Sequence, residues 1–439
     1  MRIKSWPQGR SAVAVFLWLL AITACGFPKP APIVDDAGND ASNMSDAGAD
    51  AVLPTGCAGD EECSVATPFC VDRTCSVCKT SASCPASRPV CDLASHDCRN
   101  CVKDSECDSG ACDLTTGACV DPSAILYASP AGTPADPCAR LLPCSLDKAA
   151  VLVDAGHPYI VLLPGVHVAS AIFGAQHATI CGNGATINAT LALIQLTNNS
   201  VVKIRDLKMV GQNLPDRYAI EVLRSELVLD DVTIDLSSGG FYAISGGPTI
   251  SIRNSTVVHA SSGVHGNVTV DESTFVDSSF GVLQDDSTFS TITNSVFDSL
   301  RNDSLSLEDP ASGNLEGHVL VANNTFVGAG FDCEVGRAAS KPRYVESNVL
   351  FNNTITGTSL SCHYDYNLIF PAGTLAGTGN ITADPMFVNA AGHDFHLRAG
   401  SAAIDAASPR PQMPNTHDYD GNPRPQGARS DMGAFEYRP

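Results

Sequence analysis

A short pattern recurs along residues 201–370 at a spacing that few folds accommodate. Each copy has a β-branched or other apolar residue, a polar residue at a corner, and then a second apolar residue, as in Leu229-Asp-Asp-Val-Thr-Ile234. Seven corners lie six steps apart over 141 residues, or 23.5 residues per step. A fixed period of this size is typical of solenoids, in which each repeat stacks on the next. The corners are Asp206, Asp231, Asn254, Glu272, Asn294, Asn323 and Ser347.

The period and the polar corner resemble those of the right-handed parallel β-helix family, which includes the pectate-lyase-like proteins. The resemblance implies an all-β fold, a single-chain solenoid in which each coil has three short strands. In that family an asparagine ladder runs along the corner, so we expect a broken ladder at Asn254, Asn294 and Asn323. Asparagine suits a corner because it tolerates a left-handed backbone and its amide can bond to the next coil.

Two further series follow the corners. Phe275, Phe297 and Phe326 recur two or three residues after a corner and predict an internal aromatic stack. A second strand follows about ten residues after each corner, as in Ala219-Ile-Glu221, with its middle residue facing inward and its two neighbours facing outward. The predicted outward line is Glu221, Ser245, His265, Leu283, Ser306, Asp332 and Glu334.

The N-terminus has the pattern of an export signal. Residues 1–24 begin with basic residues and continue into an apolar run of thirteen residues, too short for the ~20 that cross a bilayer. The following Ile22-Thr-Ala-Cys25-Gly resembles the lipobox of bacterial lipoproteins. The resemblance implies that Cys25 carries a diacylglycerol anchor and that the protein reaches the outer membrane or cell surface. Residues 25–56 have too few large apolar residues for a core and predict a lipidated, disordered tether.

Residues 57–120 form a cysteine-rich segment with 12 of the 18 cysteines. An even count in an exported segment predicts disulfides, and each block of four leaves three pairings open. A zinc ribbon at Cys75-x2-Cys78 and Cys98-x2-Cys101 is the alternative, but it would leave eight cysteines over in an oxidising compartment. The segment resembles the cysteine-rich spacers of Gram-negative lipoproteins, which implies a spacer or interaction module. The cysteines are Cys57, Cys63, Cys70, Cys75, Cys78, Cys84, Cys91, Cys98, Cys101, Cys107, Cys112 and Cys119.

A new domain, residues 121–365, starts with a short strand at Ile125-Leu-Tyr-Ala. A helix with a Ser145 cap is predicted next, and a strand that ends in Leu162-Leu-Pro-Gly-Val-His167 follows it. This order resembles the N-terminal cap of pectate-lyase-like proteins. A cap is expected because an open solenoid end exposes its core and its strand edges.

The remaining cysteines of this domain predict two more disulfides. Cys138 and Cys144 bracket a short loop of the cap and are expected partners. Cys333 is expected to face inward, with Cys362 one coil later, which predicts a second bridge. Cys181 has no partner and is expected to be a small buried thiol.

From residue 366 the pattern changes, and residues 366–439 are expected to form the last coils and a C-terminal cap. Segments such as Ala383-Asp-Pro-Met-Phe-Val388 and Asp431-Met-Gly-Ala-Phe-Glu436 closely resemble the tail of a family of secreted bacterial β-helix proteins called the choice-of-anchor Q type. That resemblance supplies no reaction. Asp418-x-Asp-Gly-Asn422 looks like the start of a calcium loop, but Arg429 stands where the final glutamate would be, so a turn is predicted.

Catalytic candidates come from the same resemblance, because pectate-lyase-like enzymes use the outer face of the second strand and its loops. Asp303, Asp332 and Glu334 are the carboxylates that could serve a hydrolase, with His265 on the same line. A lyase of this family would need a cationic or calcium-aided site and a strong base, usually lysine or arginine, and the line has neither lysine nor arginine. Asp285 and Asp286 are the candidates for Ca²⁺, the one cofactor considered. In a chain this acidic we expect such residues to be solvated surface acids.

The net charge limits the classes of partner that the chain can bind. The formal net charge is −21, and because residues 1–24 carry three basic groups and no acid, the rest of the chain carries −24. Such a surface repels nucleic acid and anionic lipid headgroups. We therefore expect no nucleic-acid partner. The lipobox, spacer and β-helix resemblances together imply a lipid-anchored, non-catalytic surface protein that binds glycans or other surface partners. The alternatives are a polysaccharide lyase or glycoside hydrolase, and a structural component of the envelope.

Overall fold

The structure is a computed structural model. It describes residues 56–168, 170–189, 194–211, 218–237, 242–284, 289–307, 318–333, 342–356, 362–371, 373 and 375–439. Cys25, Asp285, Asp286 and Glu334 lie outside these ranges, as do the predicted signal peptide and nearly all of the tether. Within these ranges, no helix combines the length and the apolar character that a membrane crossing requires.

The described chain is a parallel β-solenoid, as the period predicts. One face is a sheet of nine parallel strands, one from each successive coil, here called the lateral sheet. Its strands are Ala171–Gly174, Ile194–Thr197, Tyr218–Val222, Tyr242–Gly246, Ser262–His265, Phe280–Gln284, Asp303–Leu307, Gly330–Asp332 and Thr354–Thr356.

The other strands flank the corner. Three long strands run through it: His177–Asn188, Val201–Val210 and Glu226–Asp235. The strands before the later corners, here the pre-corner stack, are Thr249–Arg253, Val268–Asp271, Phe289–Thr293, His318–Ala322, Arg343–Glu346 and Cys362–Asp365. Those after them, the post-corner stack, are Thr256–Val258, Thr274–Val276, Val296–Asp298, Thr325–Val327, Val349–Phe351, Leu368–Phe370 and Ile381–Thr382. All pair in parallel with their equivalents on the adjacent coils.

All seven predicted corners have a left-handed backbone, with φ between 46° and 60°, and Tyr366 adds an eighth with φ 55°. The predicted position of the asparagine ladder is wrong by one residue, because the left-handed corner turns its own side chain outward and the next one inward. Asn294, for example, donates to the Asp271 carboxylate at 3.0 Å, and the corner residue Asn323 donates to the backbone carbonyl of Asp431 at 3.0 Å.

A buried ladder instead occupies the position after the corner. The backbone N–H of each member donates to the side-chain oxygen of the next member, at 2.9–3.2 Å. Buried backbone donors need such partners, so the ladder satisfies groups that the corner turns inward. It runs through Ser255, Ser273, Ser295, Asn324, Asn348, Asn367 and Asn380.

The predicted phenylalanine stack is confirmed. The ring centroids of Phe275 and Phe297 are 5.0 Å apart, those of Phe297 and Phe326 are 4.8 Å apart, and all three side chains are fully buried. A β-carbon added at Gly263 would lie 2.6 Å from the Phe275 ring, and one at Gly281 would lie 2.8 Å from the Phe297 ring. Gly263 and Gly281, the first residues of the predicted triplets Gly263-Val-His265 and Gly281-Val-Leu283, therefore face these rings and must be small, so our expectation that they face outward is wrong.

One register in the lateral sheet also differs from the prediction. The spacing of the second strands predicts that Asp332-Cys-Glu334 aligns with Ser304-Leu-Ser306, which places Cys333 opposite Leu305, but Phe331 lies opposite Leu305 and Asp332 lies opposite Ser306. Phe331 fills the core and Cys333, two residues on, faces the same way; both are fully buried. Cys333 forms a disulfide with Cys362.

The cap resembles the predicted one. Ile125–Ala128 pairs in parallel with Tyr159–Leu162, which pairs with His177–Asn188, and Val166–His167 pairs with the same long strand. The helix Leu146–Leu152 buries Leu146, Ala149 and Ala150, and the Gln176 amide donates to the carbonyls of Ala150 and Val153 at its end. Ser145 precedes the helix, but its side chain makes no capping bond. Cys138 and Cys144 form a disulfide in this cap, and the Cys181 thiol is buried and unpaired.

The cysteine-rich segment consists of three copies of one unit. In every block the first cysteine pairs with the third and the second with the fourth, which leaves no thiolate for a zinc ribbon. Each unit has a 3-10 turn, at Asp60–Glu62, Ser81–Ser83 and Asp104–Glu106. Each also has a two-stranded hairpin, namely Phe69–Val71 with Thr74–Ser76, Val90–Cys91 with Cys98–Arg99, and Cys112–Asp113 with Ala118–Cys119.

The third block packs against the first coils, with only the short turn Pro122–Ala124 between it and the cap. Arg205 forms an ion pair with the buried Asp104 at 2.9 Å. Tyr127 donates to the Ser109 carbonyl at 3.0 Å, and Asn183 donates to the Gly110 carbonyl at 2.9 Å. The sequence boundary at residue 120 therefore does not separate two independent bodies.

The C-terminal segment folds back along the corners and the post-corner stack. It contains the strands Phe387–Asn389 and Asp394–Leu397, joined by the turn Ala390–Gly392. The Tyr419 hydroxyl contacts the Thr274 hydroxyl at 2.7 Å, and the Ala434 N–H donates to Thr325 Oγ1 at 3.0 Å. The predicted turn after Asp418 is present, because its carboxylate accepts the Asn422 N–H at 2.7 Å.

The ladder yields a stability prediction at Asn348, which is fully buried and whose amide nitrogen donates to the carbonyls of Val321 and Glu346 and to the Asn367 side chain. We expect Asn348→Ala to lower the free energy of unfolding by about 3 kcal/mol, because several buried groups lose their partners. Urea-induced unfolding followed by circular dichroism measures the change. The exposed Asn302→Ala is the matched control, and equal urea midpoints for both variants would contradict the ladder's role.

Candidate functional site

The outward line of the lateral sheet is the first part of the candidate site. Pairwise registers place Glu221, Ser245, His265, Leu283, Ser306 and Asp332 on successive coils, which is the predicted line. Gln195 extends the line at one end and Thr356 at the other. No lysine or arginine occupies these eight described positions.

An aromatic patch lies beside the N-terminal half of this line. Tyr218 and Tyr242 are paired in register, their ring centroids are 5.3 Å apart, and the Tyr242 ring lies 6.0 Å from that of His265. Tyr242 is 39% exposed. Next to the patch, the Gln195 amide donates to the Glu221 carboxylate at 2.6 Å. Together these residues offer apolar ring faces beside fixed polar groups.

The tyrosine pair escaped sequence reasoning, although a signal was present. Both tryptophans, Trp6 and Trp18, lie within residues 1–24, so the rest of the chain has no tryptophan to suggest a stacking platform. Tyr218 and Tyr242, however, are 24 residues apart, which is one period of the repeat. Residues one period apart stack on adjacent coils, so a search for tyrosines at this spacing would have found the pair.

Asp303 and Asp332 form an acidic pair further along the lateral sheet, on adjacent strands. Asp303 lies opposite Gly330, and a β-carbon added to that glycine would clash with the Asp303 carboxylate. Burial, together with the negative charge of Asp332, raises the pKa of Asp303. The Oδ1 atom of Asp332 is buried and has no hydrogen-bond partner among the described residues.

The Asp332 carboxylate also affects the pKa of Tyr364. Burial, and then the charge of Asp332, raise the pKa of Tyr364, whose hydroxyl is buried without a partner in the described part of the chain. Asp303 also lines an open groove of about 620 Å³ with Phe280, Arg301 and Thr354. The groove is wide enough for a small ligand, because binding sites are typically clefts of about 300–1,000 Å³.

The three predicted catalytic residues that the structure describes, Asp303, Asp332 and His265, do not form one cluster. His265 lies three strands from Asp332 along the line, or about 14 Å at ~4.8 Å per strand. His265 therefore belongs to the aromatic patch, and only Asp303 and Asp332 are neighbours. Glu334 and the calcium candidates Asp285 and Asp286 lie outside the described residues, so the structure provides no geometry for them.

Comparisons with known proteins complete the description. No protein-family model matches the sequence, and no curated protein matches it. Among solved structures, the crystal structure of pectate lyase Pel9A is similar, with a TM-score of 0.40 and 16% sequence identity, over 72% of this chain and 96% of that chain. The β-solenoid assignment is carried by the strand pairing described above.

The raised pKa of Asp303 yields a prediction with a definite sign. Because the folded chain holds this proton more tightly than the unfolded chain, ionisation of Asp303 weakens folding. The penalty is fully present above the folded pKa and absent below the ordinary carboxyl value of 3.8. Asp303→Asn should therefore raise the midpoint of thermal unfolding at pH 7, and the gain should shrink as the pH falls towards that value.

The exposed Asp108→Asn, in the third cysteine block, is the control and should show no such gain. Thermal unfolding at a series of pH values measures both variants. A gain for Asp303→Asn that is independent of pH, or no gain at pH 7, would contradict the burial of this carboxylate.

Proposed function

We propose that the chain is a lipid-anchored, non-catalytic β-helix protein of the cell surface that binds a neutral glycan on its lateral sheet. The observation that carries the proposal is the aromatic run Tyr218, Tyr242 and His265 over three successive coils. Tyrosine and histidine present an apolar ring body together with a polar tip. A sugar ring has an apolar face of C–H bonds and a rim of hydroxyls, and it can satisfy both.

Polar groups beside the rings support a sugar ligand. Gln195 and Glu221 hold each other in place at 2.6 Å, so their remaining donors and acceptors have fixed positions. A binding site of this type combines apolar contact with a few oriented polar groups. Ser245, between Glu221 and His265 on the line, adds a hydroxyl.

The charge of the chain favours a neutral glycan over an anionic one. The net charge of −24 after residue 24 repels polyanionic sugars in the absence of a bridging cation. The line offers no lysine or arginine, at its eight described positions, to offset that repulsion. The predicted signal peptide, Cys25 anchor and tether support a position at the outer membrane or cell surface, where neutral glycans are accessible.

Binding to a panel of soluble polysaccharides tests the proposal. Neutral glucan, mannan and xylan are compared with anionic polygalacturonate by affinity electrophoresis, and a ligand found this way is measured by calorimetry. We expect at least one neutral polysaccharide to bind, and Tyr242→Ala to weaken that binding about fivefold, since stacked aromatic contacts contribute about 1 kcal/mol.

Tyr344→Ala is the matched control. The ring centroids of Tyr344 and His363 are 5.5 Å apart, close to the 6.0 Å between Tyr242 and His265, but Tyr344 lies on the pre-corner stack. The control should bind like the wild type. Binding that Tyr242→Ala leaves unchanged, or no binding to any neutral polysaccharide, would contradict the proposal.

A glycoside hydrolase is the second candidate, supported by Asp303, which lines the groove, and by Asp332 on the adjacent strand. Glycosidases use two carboxyl groups, and the one that acts as acid needs a raised pKa. Asp303 has a raised pKa, and Asp332 has a buried oxygen without a partner among the described residues.

An assay for new reducing ends, with the same panel of polysaccharides, separates the two candidates. We expect no release above the blank for the wild type. Release that is lost in Asp303→Asn and Asp332→Asn, but kept in the exposed Asp277→Asn, would establish the hydrolase and overturn the non-catalytic proposal. Unsaturated ends, read by ultraviolet absorbance, would indicate a lyase instead.

A further inference from the structure

A histidine of the C-terminal segment meets two carboxylates of one coil, far from the lateral sheet. His417 Nε2 lies 3.2 Å from Asp271 Oδ2 and 3.1 Å from Glu272 Oε1. These three atoms lie within 4.8 Å of one another. Glu272 is a left-handed corner residue, and its side chain is only 4% exposed, whereas that of His417 is 32% exposed. The cluster is therefore partly enclosed but open to solvent on one side.

The carboxylate oxygens of Asp271 and Glu272 that do not face His417 accept hydrogen bonds from other side chains. Thr293 and Asn294 donate to Oδ1 of Asp271 at 2.9 and 3.0 Å. Arg253 donates to Oε2 of Glu272 at 2.9 Å. One oxygen of each carboxylate is thus fixed, and the other is left to face the imidazole. Metal ligands are oriented in this way by the residues behind them.

The imidazole is oriented as well. Thr416 Oγ1 lies 3.1 Å from Nδ1 of His417, which leaves Nε2 for the carboxylates. Nε2 carries at most one proton, so one N–H would have to serve two carboxylate oxygens. Two carboxylates close together also repel each other. A cation among the three atoms would relieve both problems.

Asn294 provides a separate indication. Its side chain is 1% exposed, and its Oδ1 has no hydrogen-bond partner among the described residues. The same amide holds Asp271 through its nitrogen. A buried acceptor without a partner is costly, so this oxygen calls for a donor other than those of the described residues. Water bound to a metal ion would be such a donor.

We propose that Asp271, Glu272 and His417 bind a divalent transition-metal ion, with Zn²⁺ as the best fit. One imidazole nitrogen and two carboxylate oxygens form a donor set that suits zinc, whereas Ca²⁺ takes six to eight oxygens. Separations of 3.1 and 3.2 Å agree with ligands about 2.0–2.2 Å from a common ion. The ion links the C-terminal segment to a coil that precedes it by 145 residues or more in sequence, and so holds that segment against the solenoid.

Metal content of the whole purified chain tests this proposal. The protein is stripped with EDTA, dialysed against Zn²⁺, and analysed for bound metal per chain. We expect about one zinc ion that is lost in both His417→Gln and Asp271→Asn. Zinc should also raise the midpoint of thermal unfolding by a few degrees in the wild type, since a ligand bound to the folded state stabilises it, and leave both variants unchanged.

His396→Gln is the matched control, because His396 belongs to the same segment and contacts two carboxylates, Asp394 and Asp420, but through different ring nitrogens. This variant should keep the zinc ion. Circular dichroism confirms folding, and if His417→Gln fails to fold, the nearly isosteric Asp271→Asn decides. A wild type without bound zinc, zinc retained by both variants, or uptake of Ca²⁺ in preference to Zn²⁺ would overturn the proposal.

Discussion

The architecture depends on the hydrogen bonds between coils at the position after each left-handed corner from Asp231 onward. A corner with positive φ bends the chain sharply and turns the next residue, with its N–H, into the core. A buried N–H without a partner costs about 1–3 kcal/mol, so a stack of such corners needs an acceptor at each level. Serine supplies it in the early coils, and asparagine supplies it from Asn324 onward. Asparagine reaches further, because its amide also donates to neighbouring carbonyls.

The phenylalanine stack fills the space that the ladder encloses. Large rings on consecutive coils leave no room for side chains on the facing strand, which explains Gly263 and Gly281. The phenylalanine rings, the facing glycines and the ladder residues together determine how the interior of each coil packs. The side chains on the outer face are not constrained in this way. The tyrosine pair and the acidic pair both occupy that outer face, on strands whose inward neighbours are fully buried.

Much of this arrangement was accessible from the sequence, because coil-to-coil stacking converts a period into contacts. The corners, the phenylalanine stack and the outward line follow from spacing alone. The ladder was misplaced by one residue, since spacing does not reveal which of two adjacent polar residues faces inward. The predicted alignment of Cys333 with Leu305 was wrong because Phe331 and Cys333 both face inward, and spacing does not show which of the two pairs with Leu305.

The sequence could not predict the contacts that distant segments make when they fold back against the solenoid. His417 meets Asp271 only because the C-terminal segment returns along the corners, and no periodicity reports that path. The same holds for Arg205 and Asp104, which join the third cysteine block to the solenoid. Pairing within the cysteine blocks was open for a related reason, because cysteine count and spacing allow three connectivities in each block.

Amide hydrogen exchange at the corners tests most directly whether the ladder organises the fold. In an ordinary exposed turn these amides exchange quickly, whereas N–H groups bonded to the next coil should exchange only when coils separate. Exchange followed by mass spectrometry on short peptides should therefore show Ser295, Asn324 and Asn348 among the most protected amides of the chain. Exchange at these three positions as fast as in an exposed turn such as Asp92–Asp97 would contradict the account.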